Sequence, residues 1–230
     1  MWLTTSSIGR KVIMSVTGLA LILFLTFHGC MNVVSLSSES GYNWVCEMLG
    51  ANWYAVAATA GLGTLVLVHF VYAFILTFQN RRARGNSRYA VVDRPQQVEW
   101  ASQNMLVLGI IVALGMALHL YNFWAKMMFV ELAHVGEEFY ATEGYHWIQY
   151  TFSNPVYAVL YLVWLAALWF HLTHGMWSAF HTIGASGKTW LPRVKCISYI
   201  YSTVLMAMYA AVVIKFCVQA MLEGNLHFGC

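Results

Sequence analysis

Five long apolar stretches dominate the sequence, at roughly 11–35, 53–79, 98–126, 155–183 and 197–222. A helix needs about 20 mostly apolar residues to cross the hydrocarbon core of a bilayer, where the backbone must satisfy its own hydrogen bonds. The stretches therefore predict an all-α integral membrane bundle of five transmembrane helices. Because few residues lie between them, we expect residues 1–230 to form a single transmembrane domain.

Charged residues are few and lie near the ends of these stretches. Hydrophobic residues make up 60% of the chain and charged residues 9%, which excludes an ordinary soluble domain. The net charge of +3 does not indicate a nucleic-acid partner, because lysines and arginines beside membrane helices set topology and meet lipid headgroups. We expect a multi-pass protein that binds no nucleic acid.

The placement of basic residues predicts the orientation, because short connections rich in lysine and arginine stay in the cytoplasm. Such residues precede the first stretch and fill the second and fourth connections: Arg10, Lys11, Arg81, Arg82, Arg84, Arg88, Arg94, Lys188, Arg193 and Lys195. The other two connections carry mainly glutamates, with Lys126 at their border: Glu39, Glu47, Glu131, Glu137, Glu138 and Glu143. The N-terminus is predicted to be cytoplasmic and the C-terminus to lie on the outer face.

Four histidines lie inside different apolar stretches, where an ionisable side chain is tolerated mainly with a partner in the bundle interior. At a rise of about 1.5 Å per residue, counted from the basic helix ends, His28 and His119 fall in the outer half of the membrane. The same measure places His69 and His171 in the inner half. We call these the outer pair (His28 and His119) and the inner pair (His69 and His171).

Two histidines at equal depth on facing helices are what a b-type haem needs, because its iron takes one imidazole on each face. The pattern predicts two b haems, on levels about 10 Å apart. The cysteines, Cys30, Cys46, Cys196, Cys217 and Cys230, form no CxxC pair, so covalent haem attachment is not indicated. His174, one turn after His171, is an alternative ligand. Interhelical hydrogen bonding and proton relay are the competing explanations for the histidines.

Several motifs resemble the dihaem cytochrome b membrane anchor of succinate dehydrogenase and fumarate reductase, in its b558-type group with five helices. The opening SSIGRKVIMSVTGLALILFLTFHGCMN, with Ser7 to Lys11, Thr17 to Leu19, His28 and Asn32, is similar to the family's start. The segment FHLTHGMWSAF resembles the family's fourth helix, and its spacing to Gly175 selects His171 as the ligand. His69 in VHFVYAF and His119 in LHLYNF occupy the places of the remaining ligands.

The resemblance implies an electron-transfer subunit of a succinate:quinone oxidoreductase. It implies a flavoprotein subunit and an iron-sulfur subunit as partners, two b haems, and menaquinone or another quinone as the exchangeable substrate. It also implies the bacterial cytoplasmic membrane, and a dimer of the whole complex is possible. The chain itself is not expected to act on the dicarboxylate.

Quinone chemistry needs a proton donor or acceptor. Glu47 is the candidate near the outer haem, and Glu39 competes for that role. Related anchors bind quinone on the inner side through a serine and an arginine, here Ser6 or Ser7 with Arg10. One departure concerns Trp169, because some dihaem members carry a glutamate two residues before the fourth ligand.

Two other functions compete with this interpretation. One is a cytochrome b subunit of another respiratory complex, such as a formate dehydrogenase or a hydrogenase. The other is a haem-free transporter or anchor, although we see neither the interrupted helices nor the internal repeats that are typical of transporters.

Overall fold

Helices make up nearly all of the structure. The computed structural model describes residues 2–50, 52–84, 99–135 and 141–228, and no strand occurs in these ranges. Five helices are long and apolar enough to cross a membrane. The predicted all-α bundle is confirmed, and the chain is a multi-pass membrane protein. Several residues used above lie outside the described ranges: Arg88, Arg94, Glu137, Glu138 and Cys230.

The main helices are of two kinds, spanning segments and short connecting segments. In chain order they are α1 (Ser7–Val33), α2 (Glu39–Met48), α3 (Trp53–Arg84), α4 (Met105–His119), α5 (Gly144–Phe152), α6 (Pro155–Thr182) and α7 (Trp190–Glu223). The five spans are α1, α3, α4, α6 and α7, while α2 and α5 cover the end of the bundle at which α1 finishes. We call the opposite end, where α1 begins, the basic face. Which face is cytoplasmic stays a prediction.

The third span lies further along the chain than the sequence predicted. It begins at Met105 rather than near 98, because Trp100–Gln103 forms a separate turn and the Asn104 side chain donates to the Trp100 carbonyl at 2.9 Å. It continues past 126 as a π-helix over Leu120–Phe129 and ends with the α turn Val130–Ala133. The charge of Lys126 does not end the helix, since its ammonium lies 5.1 Å from the ring centre of Trp147.

The first and last spans begin earlier than their hydropathy predicted. Ser6 caps α1 by accepting a hydrogen bond from the Gly9 amide at 2.9 Å, so the helix starts before Arg10. The first turns of α7 carry Arg193 and Lys195, whose charges lower the local hydropathy, so a spanning helix was not predicted there. They are helical nonetheless, because Lys195 finds a carboxylate partner in Glu99, 2.7 Å away.

The core lies between α6 and α7, with α1 and α4 packed on α6. Its fully or nearly buried residues include Tyr161, Leu165, Leu168, Leu172, Leu205, Val213 and Phe216. Helix α3 differs from the others, because it packs along α1 and no residue of its most apolar window is buried. The His69 side chain is thus carried by a helix that lies at the edge of the bundle.

A lysine that the sequence analysis did not consider joins α7 to α1. Lys215 donates to the Ser35 carbonyl at 2.9 Å and to the Leu36 carbonyl at 3.4 Å. These carbonyls follow the end of α1, where the last helical turn has no partners of its own. The contact therefore explains why a charged residue is tolerated inside α7.

Candidate functional site

The outer pair lies ring to ring between α1 and α4. The ring centres of His28 and His119 are 5.8 Å apart, and the ring planes are nearly perpendicular, at 84°. Aromatic residues surround both imidazoles: Phe24 and Tyr209 lie against His28, and Phe123, Tyr161 and Trp164 lie against His119. The helices thus bring together two histidines that are distant in the sequence.

The inner pair lies between α3 and α6. The ring centres of His69 and His171 are 6.4 Å apart, with an angle of 66° between the planes. The Nδ1 atom of His171 is buried and has no hydrogen-bond partner in the described part of the chain. A buried ring nitrogen without a partner is costly unless a further group satisfies it. The pairing of histidines is the one that their depths predicted, while their role as ligands stays a prediction.

The Thr17 hydroxyl is the hydrogen-bond partner of one ring nitrogen of His69. Its hydroxyl oxygen lies 2.9 Å from the Ile13 carbonyl, to which it donates, and 3.1 Å from Nδ1 of His69. When the single hydroxyl proton is donated to the Ile13 carbonyl, the hydroxyl oxygen accepts the Nδ1–H of His69. The lone pair of neutral His69 is then on Nε2, the arrangement that a metal-binding imidazole needs.

The separation between the inner and outer histidine pairs can be measured along α1. Thr17 of this helix contacts the inner pair, and His28 of the same helix belongs to the outer pair. These two positions are about 16 Å apart along the helix at about 1.5 Å per residue. The separation is larger than the about 10 Å expected from the sequence.

The spacing within each pair fits a single iron atom. A bond from a metal to an imidazole nitrogen is about 2 Å long, and the ring centre lies roughly 1 Å further, so two imidazoles on one iron have centres about 6 Å apart. A haem supplies the other four nitrogens itself. In the described residues no group of three or more His, Cys, Asp or Glu could hold a metal ion, and a haem site needs only two.

Glycines leave room beside the inner pair. A Cβ added at Gly18 would lie 3.3 Å from the His69 ring, and one added at Gly109 would lie 3.9 Å from the His171 ring. A Cβ at Gly175, one turn after His171, would meet nothing within 4 Å. A flat macrocycle suits this arrangement, because the helix backbones approach closely on one side and leave open space on the other.

His174, the alternative ligand, faces a different partner. Its Nδ1 lies 3.4 Å from a carboxylate oxygen of Glu99, and the Trp177 indole donates to the same oxygen at 3.1 Å. Lys195 donates to the other oxygen at 2.7 Å. The geometry therefore favours His171, which faces His69, over His174 as the inner ligand.

Glu99 is charged within this cluster, which lies near the basic face. Its side chain is 23% exposed. Burial alone would raise the pKa of Glu99, but the hydrogen bonds from Lys195, His174 and Trp177, together with the charge of Lys195, outweigh burial and lower the pKa. The carboxylate ties the segment before α4 to both α6 and α7.

Glu47, the candidate for proton transfer, has an exposed side chain on α2, whose buried residues are Tyr42 and Val45. Glu39 is exposed at the start of the same helix. No contact joins either glutamate to the outer pair in the described residues, and their roles stay predictions. Behind α2, the Tyr42 hydroxyl donates to the Asn32 side chain at 3.1 Å, and Asn32 donates to the His28 carbonyl at 2.8 Å.

The other quinone candidates have local structural roles. Ser6 caps α1, and Arg10 donates to the carbonyls of Thr4 and Thr5 at 2.8 and 3.3 Å. Both side chains therefore stabilise the turn that precedes α1. Trp169, which stands where some family members have a glutamate, points to α7 and donates to the Thr203 hydroxyl at 2.9 Å.

Three residues near the histidines were missed by the sequence analysis: Thr17, Glu99 and Asn122. Thr17 and Asn122 appeared above only within sequence motifs, and Glu99 was not considered. Asn122 gave the clearest signal, because it is an amide inside an apolar stretch, one turn after His119.

The comparisons with known proteins identify no relative. No protein-family model matches the chain, and neither a curated protein nor a solved structure matches it. The resemblance to the dihaem anchors therefore depends on the sequence motifs alone.

Proposed function

We propose that the chain is the dihaem cytochrome b membrane anchor of a succinate:quinone oxidoreductase, a fumarate reductase or succinate dehydrogenase. In this role it passes electrons between an iron-sulfur subunit and a membrane quinone, with menaquinone as the expected species. The observation that carries the proposal is the presence of two facing histidine pairs, His28 with His119 and His69 with His171, at two depths of one bundle.

The two pairs would hold two b haems, which supply reversible one-electron transfer when bound. The protein's own contribution is to position the ligands and to exclude water. Helices α1 and α4 hold the outer imidazoles within a shell of aromatic rings. At the inner pair, the Thr17 hydroxyl would accept the Nδ1–H of His69 and leave Nε2 to bind iron.

The partners follow from the same proposal. An iron-sulfur subunit, with its flavoprotein subunit, would dock on the basic face, close to the inner pair. Quinone would exchange from the lipid. The proposed location is the bacterial cytoplasmic membrane, with the basic face in the cytoplasm, and the complete complex could form a dimer.

The test is to purify the complex from membranes through a tag on this chain and to measure haem by pyridine haemochrome. We expect about two b haems per chain, reducible by succinate, and co-purification of a flavoprotein and an iron-sulfur protein. Replacing His69 or His171 by Ala should remove the inner haem, and replacing His28 or His119 should remove the outer one. His174→Ala is the matched control and should keep both.

Each alternative gives a different result. Two haems with other soluble subunits, and no reduction by succinate, would indicate another respiratory complex. A preparation without haem would overturn the proposal and leave a haem-free transporter or anchor.

A further inference from the structure

Asn122 is a buried polar residue inside the bundle, close to the outer pair. It is 1% exposed and lies inside the third span, in the π-helical segment that follows His119. Its side-chain nitrogen donates to the Tyr161 hydroxyl at 3.3 Å, while its Oδ1 atom has no partner among the described residues. An unpaired acceptor at this depth is costly, so a further group is expected to satisfy it.

The Tyr161 hydroxyl lies next to Asn122 and supplies the hydrogen-bond donor that the Asn122 oxygen cannot. It accepts from Asn122 and still has its own proton to donate. Donor and acceptor thus lie side by side, and a group that both donates and accepts satisfies them together. Turning the Asn122 amide over would leave its nitrogen unpaired instead, and the same kind of group would satisfy that atom too.

The pair lies beside the outer histidines. The Tyr161 ring centre is 6.3 Å from that of His119, and Asn122 follows His119 by one turn. Tyr161 lies about 9 Å along α6 from its start at Pro155, at about 1.5 Å per residue. This depth is close to the membrane interface, where the polar headgroup of an isoprenoid quinol lies.

We propose that Asn122 and Tyr161 form a binding site for a hydroxyl-type group beside His119. The group is either a hydroxyl of the quinol or a protonated carboxyl on the edge of the outer haem. In both cases its O–H donates to Asn122 and its oxygen accepts from Tyr161. This inference rests on the proposed function, because both sources belong to a dihaem quinol-oxidising subunit.

The site differs from the candidates that the sequence suggested. Glu47 and Glu39 are exposed on α2, and Ser6 and Arg10 lie at the basic face. Asn122 and Tyr161 are buried in the bundle next to the proposed electron donor or acceptor. They would bind and orient the group, while proton exchange with solvent needs other residues.

The test compares Asn122→Leu and Tyr161→Phe, each of which removes the bond between these two residues and one bond to the proposed group, while keeping the branched or ring shape of the side chain. Ser202→Ala is the matched control, because Ser202 is also fully buried and its oxygen has no partner in the described part of the chain, but it lies on α7. Each variant of the purified complex is measured for haem content, for the outer haem's midpoint potential, and for the KM of dimethylnaphthoquinol with fumarate as acceptor. The Phe variant keeps the test valid if the Leu variant fails to fold.

The quantity that changes identifies the source of the group. A KM increase of about three- to tenfold in both variants, at unchanged haem potential, assigns the site to the quinol. A shifted outer potential or loss of outer haem, at unchanged KM, assigns it to the haem carboxyl. Variants that match the control in every quantity overturn the site and leave a buried water as the partner. A wild-type complex without haem overturns the proposed function, and this inference with it.

Discussion

The hydroxyl oxygen of Thr17 lies 3.1 Å from Nδ1 of His69, across the interface between α1 and α3. The contact is specific because the hydroxyl proton is already donated to the Ile13 carbonyl at 2.9 Å. The interface is also the principal packing contact of α3. This hydrogen bond therefore links His69 to the helix against which α3 packs.

Thr17→Val should weaken haem binding at the inner pair. Valine keeps the shape of threonine but leaves the Nδ1–H of His69 without an acceptor, at a cost of about 1–3 kcal/mol. Loss of a partner of this kind typically lowers metal affinity by about 10–100-fold. The measurement is haem retention during detergent washing, followed by the reduced-minus-oxidised spectrum.

Thr17→Ser is the matched control, since serine can make the same two hydrogen bonds. It should retain the inner haem as the wild type does. If Val and Ser behave alike, the Thr17 hydroxyl does not support His69.

Local sequence patterns predicted the parts of this structure that depend on single helices. Apolar length identified five spans, and depth paired the four histidines correctly because each helix rises by a constant amount per residue. The predicted ends of two spans were wrong at Lys126 and Lys195, where neighbouring side chains stabilise the lysine charge. Hydropathy treats both residues as helix ends, whereas one packs on aromatic rings and the other pairs with Glu99.

The support around the histidines could not be read from the sequence, because it depends on contacts between helices. Thr17 meets His69, Asn122 meets Tyr161, and Glu99 meets Lys195, and each contact joins residues that are far apart in the chain. Sequence depth gives the height of a side chain in the membrane. Which neighbour it faces depends on the rotation and packing of whole helices.

Glu99→Gln should lower the thermal stability at neutral pH. The carboxylate accepts hydrogen bonds from Lys195 and Trp177 on two different helices. We expect a loss of about 1 kcal/mol, reduced by solvent screening, which corresponds to about 2–4 °C in Tm. The measurement is a thermal shift assay in detergent, with the exposed Glu47→Gln as control.

The effect should depend on pH in a defined direction. Because the pKa of Glu99 is lowered in the folded chain, its contribution is complete above the ordinary value of 4.5 and is lost as pH falls through the lowered value. The difference in Tm between wild type and Glu99→Gln should therefore be constant near neutrality and should shrink below about pH 4.5. A difference that grows on acidification would contradict the assignment.

Cys46 should react slowly with thiol reagents despite lying outside the spans. Burial raises the pKa of its thiol to about 11, and the sulfur lies against Gly144, where an added Cβ would be only 2.2 Å from it. Near pH 8 the thiolate fraction is then about one in a thousand.

Maleimide labelling followed by mass spectrometry should modify the exposed Cys196 first. The rate at Cys46 should rise about tenfold per pH unit between pH 8 and 10, and equal rates at both cysteines near pH 8 would refute the buried position.

Gly115→Ala should disturb the outer pair and leave the inner pair intact. An added Cβ at Gly115 would lie 2.1 Å from the Trp164 indole, which packs on His119 and donates to the Val112 carbonyl at 3.0 Å. Because the indole is fixed at both places, the overlap should cost about 1–3 kcal/mol and should shift Trp164 against His119. Gly61→Ala is the control, since a Cβ added at Gly61 on α3 would meet nothing within 4 Å. We expect the outer haem alone to lose occupancy or to change its spectrum in Gly115→Ala, and no change in Gly61→Ala. Equal loss in both variants would mean that helix packing in general, and not the position of Trp164, maintains the outer site.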